Sequence, residues 1–131
     1  MEARNLWGDL EVETPVGTPV DILREQGSQL ADLTNDVLSA RIRTTRTRDG
    51  ALETRFDVIA PLLDNYFYTL LSVRHGVRGY PLVLSDYVNE DEVECTDEDQ
   101  FIDELGRVLS SDGVKKVVQF LVSQSRSVNA A

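Results

Sequence analysis

ARIRTTRTRDGALETRFDVIA, residues 40–60, consists of two β-rich runs of alternating side chains on either side of Asp49-Gly50. Alternation with a period of two around Asp-Gly is a strong indication of a β-hairpin. The apolar positions of both runs carry even residue numbers. For these side chains to share one face, the numbers of any two paired residues must add up to an even number, and we predict Arg43 opposite Asp57. A two-residue loop would make that sum odd. We therefore predict a three-residue loop through Ala51, or a bulge.

Upstream of this hairpin, residues 19–38 carry apolar side chains at helical spacing. Thr18 is placed to act as the N-cap, with Pro19 at the first helical position and Asp21 three residues after the cap. Gly27 interrupts the helix, and we interpret it as a tolerated surface glycine rather than as a point of close backbone approach. The pattern predicts an amphipathic helix over residues 19–38.

Downstream, the sequence predicts two more strands and two more helices. Residues 66–73 have large apolar groups on both faces, which is typical of a central strand, and residues 80–87 form a fourth strand. Thr96 is predicted to begin a second helix, and the segment 110–113 separates it from a third. The connections are short enough for an antiparallel meander.

A single four-stranded sheet cannot hide its apolar face, so helices must cover it. We predict an α+β fold, a two-layer sandwich in which one N-terminal and two C-terminal helices cover a four-stranded antiparallel meander in the order αββββαα. The 131 residues correspond to one domain. We assign residues 18–131 to this domain and residues 1–17, which include Trp7, to an N-terminal tail or edge segment.

Charge is concentrated in one part of the chain. The formal net charge is −10. Residues 86–104 contain ten acidic residues and no basic one, which leaves 13 acidic and 13 basic residues elsewhere. An acidic chain has the wrong sign for a general binder of phosphate backbones, so nucleic acid is an unlikely partner.

Catalytic and metal-binding chemistry have little support. One histidine, His75, and one cysteine, Cys95, cannot supply a zinc site or an internal disulfide. The acidic neighbours of Cys95 oppose thiolate formation, and the acidic run lacks the ligand spacing of a calcium-binding loop. No nucleotide, hydrolase or metalloprotease motif occurs. We therefore predict no catalytic residue, no metal and no cofactor.

The sequence also bears on location. The longest uncharged stretches are nine residues, far short of the ~20 required to span a bilayer. The N-terminus lacks a basic segment followed by an apolar core. We expect a cytoplasmic protein without membrane contact.

These observations favour a non-catalytic intracellular binding protein that presents an acidic surface to a basic protein, as inhibitors and immunity proteins do. The carboxylates predicted to form that surface are Asp86, Glu90, Asp91, Glu92, Glu94, Asp97 and Glu98. Charge runs are also commonly just solvated faces. The alternative is therefore a structural or regulatory subunit of a homo- or hetero-oligomer, in which the acidic run serves only solubility.

A second candidate surface combines basic and aromatic side chains, which on a sheet can hold single-stranded nucleic acid or an acidic peptide. Its predicted members are Arg41, Arg43, Arg46, Arg55, Tyr66 and Tyr68, with Arg48 from the same hairpin. The alternative is a solvated face whose arginines pair with Glu53, Asp57 or the acidic segment of the same chain.

Overall fold

A computed structural model describes residues 4–8 and 17–129 of the chain. They form an α+β arrangement of one antiparallel five-stranded sheet and three helices. In chain order the elements are α1 (Pro19–Leu33), β1 (Ser39–Arg46), β2 (Leu52–Ala60), a 3-10 turn (Pro61–Leu63), β3 (Tyr66–His75), β4 (Leu82–Asp86), β5 (Asp91–Cys95), α2 (Glu98–Leu109) and α3 (Asp112–Asn129). The strands lie in sequence order as a meander, so β3 is central as predicted.

The hairpin between β1 and β2 is confirmed, and its register is shifted from the prediction. The numbers of paired residues add up to an even number, so the apolar side chains share a face as predicted. Asp57, however, lies opposite Arg41 rather than Arg43. The loop turns between Thr47 and Ala51, whose backbones are hydrogen-bonded. The turn is thus centred one residue earlier than expected, and Gly50 supplies its positive φ of 87°.

Helix α1 begins as predicted and ends earlier. Thr18 and Asp21 form a capping box at its first turn, with Pro19 at the first helical position. The helix ends at Leu33 and not at residue 38, because Asn35 and Asp36 adopt left-handed backbone conformations. The chain can therefore turn directly into β1.

Gly27 is buried, so its interpretation as a surface glycine is wrong. A Cβ at this position would lie 2.8 Å from Cβ of Ala40 on β1. That separation is shorter than any ordinary carbon–carbon contact. Glycine is therefore the residue that lets α1 lie directly on β1.

The predicted number of four strands is wrong, because the acidic run contains a fifth, β5. Asp and Glu are depleted in strands, which obscured it. A signal was nevertheless present: Val93 and Cys95 alternate with Glu92 and Glu94, and burial follows the same alternation. The element order is therefore αβββββαα.

One face of the sheet forms the core together with the helices. Phe56, Val58 and Leu84 are fully buried there, and they pack with Leu23 of α1 and Phe101 of α2. Between β2 and β3 the register shifts by one residue after Phe56. The opposite face of the sheet carries no helix among the described residues.

The predicted N-terminal segment, residues 1–17, lies largely outside the described residues. Within it, residues 4–8 are described and exposed, with Trp7 among them. None of the helices in the described part of the chain is long and apolar enough to cross a membrane.

Candidate functional site

The acidic segment folds into an edge of the sheet followed by the start of a helix. Strand β5 pairs with β4, and in the described structure it is the last strand on that side of the sheet. Glu92 and Glu94 project from the face without helices, whereas Val93 and Cys95 point towards the core. We use the name acidic edge for the exposed carboxylates of Glu90, Asp91, Glu92, Glu94, Asp97 and Glu98.

Asp86 does not belong to this surface, which corrects its predicted role. Its carboxylate is buried at 5% exposure. One oxygen accepts hydrogen bonds from the backbone N–H groups of Val88 and Asn89, both at 3.0 Å, and the other accepts from Asn89 Nδ2 at 2.7 Å. Asp86 therefore fixes the turn that leads from β4 into β5, and it is inaccessible to a partner.

Asp97 has a structural role within the acidic edge. Its side chain accepts a hydrogen bond from the backbone N–H of Gln100 at 2.8 Å and caps α2. Gln100 in turn donates from Nε2 to the carbonyl oxygen of Glu94 at 3.3 Å, which ties the helix start to the end of β5. Glu98 and Asp99 occupy the first helical turn, where the positive end of the helix dipole stabilises them.

Few cations neutralise these carboxylates. Within residues 4–8 and 17–129, Arg107 is the one basic side chain with a nitrogen within 4 Å of a carboxylate oxygen of the segment 86–104. It contacts Glu104 at 2.6 Å and Asp91 at 3.7 Å, and the hydrogen bond to Glu104 is the main cause of its raised pKa. The remaining carboxylates of the acidic edge face solvent without an ion-pair partner among the described residues.

Two groups behind the acidic edge, the buried Cys95 thiol and the half-buried Tyr80 hydroxyl, have raised pKa values. Burial raises the pKa of the Cys95 thiol, and the charges of Glu104 and Asp97 raise it further. Burial likewise raises the pKa of Tyr80 to about 12, with Glu98 as the next cause. Both groups therefore stay protonated at neutral pH, and Cys95 is a poor nucleophile.

Three of the predicted arginines, Arg41, Arg43 and Arg55, lie on the sheet face without helices, and two of them are engaged within the protein. Arg41 donates from Nε at 3.2 Å and from Nη2 at 2.9 Å to Asp57, which is 1% exposed. Asp57 also accepts from the Thr69 hydroxyl at 2.6 Å, and the Arg41 guanidinium lies 4.7 Å from the centre of the Phe67 ring. Arg41 therefore stabilises the sheet and is less available to a ligand.

The other arginines are divided. Arg55 pairs with Glu53 at 3.1 Å, which is the intramolecular alternative considered for this surface. Arg43 lies directly opposite Arg55, a like-charge pair across the strands. Arg46 alternates along β1 with Thr45, so its position belongs to the helix-facing side of the sheet, and Arg48 lies in the hairpin loop.

The two tyrosines lie on the other side of the sheet from Arg41, Arg43 and Arg55. Tyr68 is opposite the buried Val58, and both Tyr66 and Tyr68 line an apolar groove against α3. Side chains alternate between the two faces along a strand, so residues on neighbouring strands can still lie on opposite faces of the sheet. The prediction that the arginines and the two tyrosines form a single surface is therefore wrong.

A charge gradient crosses the helix-free face in one row of paired residues, whereas the adjacent row has Glu53 on β2 and Arg74 on the central β3. One cross-strand row runs Arg43, Arg55, Ser72, Ser85 and Glu92 from β1 to β5. Its centre is neutral and hydroxylic: Ser72 contacts Tyr87 at 2.9 Å, and Ser85 donates to Glu92 at 3.3 Å. In this row, opposite charges thus lie at opposite edges of the sheet.

His75 is a buried residue of β3 and forms no hydrogen bond or ion pair with a carboxylate, hydroxyl or thiol among the described residues. Its Nδ1 lies 2.9 Å from the Gly76 carbonyl oxygen, which can only accept, so Nδ1 carries the proton. Nε2 is buried without a partner. No cluster of three or more His, Cys, Asp or Glu that could hold a metal occurs in the described ranges.

Comparison of the chain with protein-family models, with curated proteins and with solved structures gives no significant match.

Proposed function

We propose that the protein is a non-catalytic binding module that presents its acidic edge to a basic protein, in the manner of an inhibitor or immunity protein. The observation that carries this proposal is the scarcity of counter-charge. Arg107 is the one cation within 4 Å of these carboxylates in the part of the chain that the structure describes. Clustered, uncompensated charge accelerates association with an oppositely charged surface.

The shape of the acidic edge supports the same partner. Strand β5 has a side that pairs with no other described strand, and such an edge can bind an extended segment through backbone hydrogen bonds. Two copies joined through β5 would bring Glu92 and Glu94 next to their own counterparts, which like-charge repulsion disfavours. A basic partner meets no such penalty.

The test begins with retention of host proteins on the immobilised chain at low salt and elution at high salt. The eluted protein is then purified, and its association rate is measured against a variant carrying Glu90→Gln, Glu92→Gln, Glu94→Gln and Glu98→Gln. These substitutions keep the cap at Asp97 intact. We expect the association rate constant at low salt to fall about tenfold or more, with a smaller change in the dissociation rate.

A matched control removes the same amount of charge elsewhere. Glu25→Gln, Asp32→Asn, Asp36→Asn and Asp64→Asn change exposed acids on α1, its C-terminal turn and the 3-10 turn. This control should leave the association rate within about twofold. Equal effects of both variants would reduce the interaction to net charge and contradict the proposal, as would the absence of any retained basic protein.

A second candidate function, a subunit of a homo-oligomer, is favoured by an exposed aromatic surface. Phe120 of α3 and Tyr66 of β3 are 63% and 51% exposed beside a groove of about 610 Å³. A two-fold axis at Phe120 would place Lys116 opposite Gln124 of a second copy, so the pairing contains no like-charge contact. Light scattering on the wild type and on Phe120→Glu tests it: a dimer that the substitution dissociates supports this candidate, and a wild-type monomer excludes it.

A further inference from the structure

The helical layer has a cleft between α1 and α3 that is separate from the acidic edge. Leu30 and Leu33 line one wall, and Val118 and Val122 line the other. The cleft has a volume of about 480 Å³. A deeper cavity of about 140 Å³ shares its Leu30, Leu33 and Val118 walls and reaches the core residues Phe56 and Leu70 of the sheet.

The sequence explains why the helices leave this gap. Gly27 draws α1 onto β1 at the edge of the sheet, whereas α3 packs on β2 and the 3-10 turn. Gln26 and Gln29 occupy positions of α1 at the deep cavity, and the α3 wall consists of short valines. Protein interiors are normally filled to crystal-like density, so an apolar cleft that reaches the sheet is unusual.

Two cationic side chains, Lys115 and Arg126 of α3, line the cleft in a protein of net charge −10. They are about three helical turns apart, so each lies towards a different end of the cleft. Neither has a carboxylate within 4 Å among the described residues. Apolar walls with a few charged groups at the rim are typical of small-molecule sites, whose volumes are about 300–1,000 Å³.

We propose that this cleft binds a single-chain amphiphile with an anionic head, such as a fatty acid carboxylate. The alkyl tail lies between α1 and α3 above Phe56 and Leu70, and the head lies at the end of the cleft that Lys115 lines. The cation of Lys115, unpaired among the described residues, would attract an anionic head, and the apolar walls would bury the tail. The proposal does not depend on the acidic edge.

Titration calorimetry with dodecanoate, decanoate and octanoate below their micellar concentrations tests it on the full chain. We expect one saturable site and an affinity that rises about twofold to fourfold per added methylene until the cleft is full. Dodecyltrimethylammonium, with the same tail and a cationic head, should bind more weakly, although the net charge of the protein would favour it.

Adjacent residues of α3 provide matched variants. Val118→Phe fills the cleft, whereas Val117→Phe adds the same bulk on the opposite groove beside Phe120. We expect Val118→Phe to weaken dodecanoate binding about tenfold or more with thermal stability kept or raised, and Val117→Phe to leave it unchanged. Lys115→Gln should weaken binding about twofold to fivefold, and Lys116→Gln should not.

Several results would overturn the proposal. One is the absence of saturable dodecanoate binding. Another is that Val117→Phe weakens binding as much as Val118→Phe, and Lys116→Gln as much as Lys115→Gln. Loss of binding in Val117→Phe and Lys116→Gln alone would move the ligand to the groove beside Phe120. A ligand-free dimer that Val118→Phe dissociates would identify a second copy of the chain as the occupant.

Discussion

Substituting alanine for each of two helical glycines should have opposite effects on stability. In α1, a Cβ at Gly27 would lie 2.8 Å from Cβ of Ala40, while at Gly106 in α2 it would meet nothing within 4 Å. The chemical change is identical at the two positions. Any difference between the variants therefore reports the contact of α1 with β1.

The magnitude follows from two opposing terms. Alanine is favoured over glycine in a helix interior by about 1 kcal/mol, which applies at both positions. Forcing extra volume into a packed contact costs about 1–3 kcal/mol, and the upper part of that range applies at Gly27, because the Ala40 methyl is fixed to the strand backbone. We expect Gly27→Ala to lose about 1–2 kcal/mol and Gly106→Ala to gain up to about 1 kcal/mol.

Urea unfolding followed by circular dichroism measures the free energy of unfolding of both variants. In thermal unfolding, their melting temperatures should differ by about 8–12 °C. The double variant Gly27→Ala with Ala40→Gly removes the overlap and should recover most of the lost stability, less the cost of glycine in a strand. If Gly27→Ala stabilises the protein as much as Gly106→Ala, α1 does not lie on β1 and the packing described above is wrong.

Three further predictions concern buried polar groups. Asp86→Ala should cost about 1–3 kcal/mol in urea unfolding, because it leaves the turn N–H groups unpaired; Glu94→Ala, on the exposed edge, should stay within about 0.5 kcal/mol. Tyr80 keeps its proton up to about pH 12 in the folded state and loses it near pH 10 when unfolded, so its contribution to stability is present below pH 10 and is lost as pH rises from 10 to 12. Tyr80→Phe should therefore flatten pH-dependent unfolding in that window, and an unchanged profile would contradict the assignment. Cys95 should react with a disulfide reagent slowly in the native protein at mildly alkaline pH and rapidly in denaturant, because burial raises its pKa and blocks access; equal rates would show that the thiol is accessible.

The sequence predicted the local elements better than their pairings. The capping box at Thr18 and the hairpin around Gly50 depend on neighbouring residues, and both form as expected. The end of α1 was misplaced because Asn35 and Asp36 were treated as helical although they adopt left-handed conformations. Strand β5 was missed because its acidic composition disfavours a strand, and pairing with β4 overrides that preference.

For the candidate sites, the sequence located the charge but not its accessibility. It could not distinguish buried Asp86 from exposed Glu94, because the difference lies in hydrogen bonds to the turn backbone. It grouped Arg55 with Tyr68 because their strands were expected to be neighbours, yet the parity of the pairing places them on opposite faces. The cleft between α1 and α3 had no sequence signal.

The amino-acid sequence by itself determined the α+β class, the start of α1, the central hairpin and the location of the negative charge, because these depend on periodicity, capping and composition within short segments. The start of α2 was predicted at Thr96, one residue before its N-cap Asp97. Tertiary structure alone decided which side chains share a face, which carboxylates are buried and where the helical layer stays open. Those properties depend on the register of strands and on the approach of α1 to β1 at Gly27. They are set by contacts between residues distant in the chain.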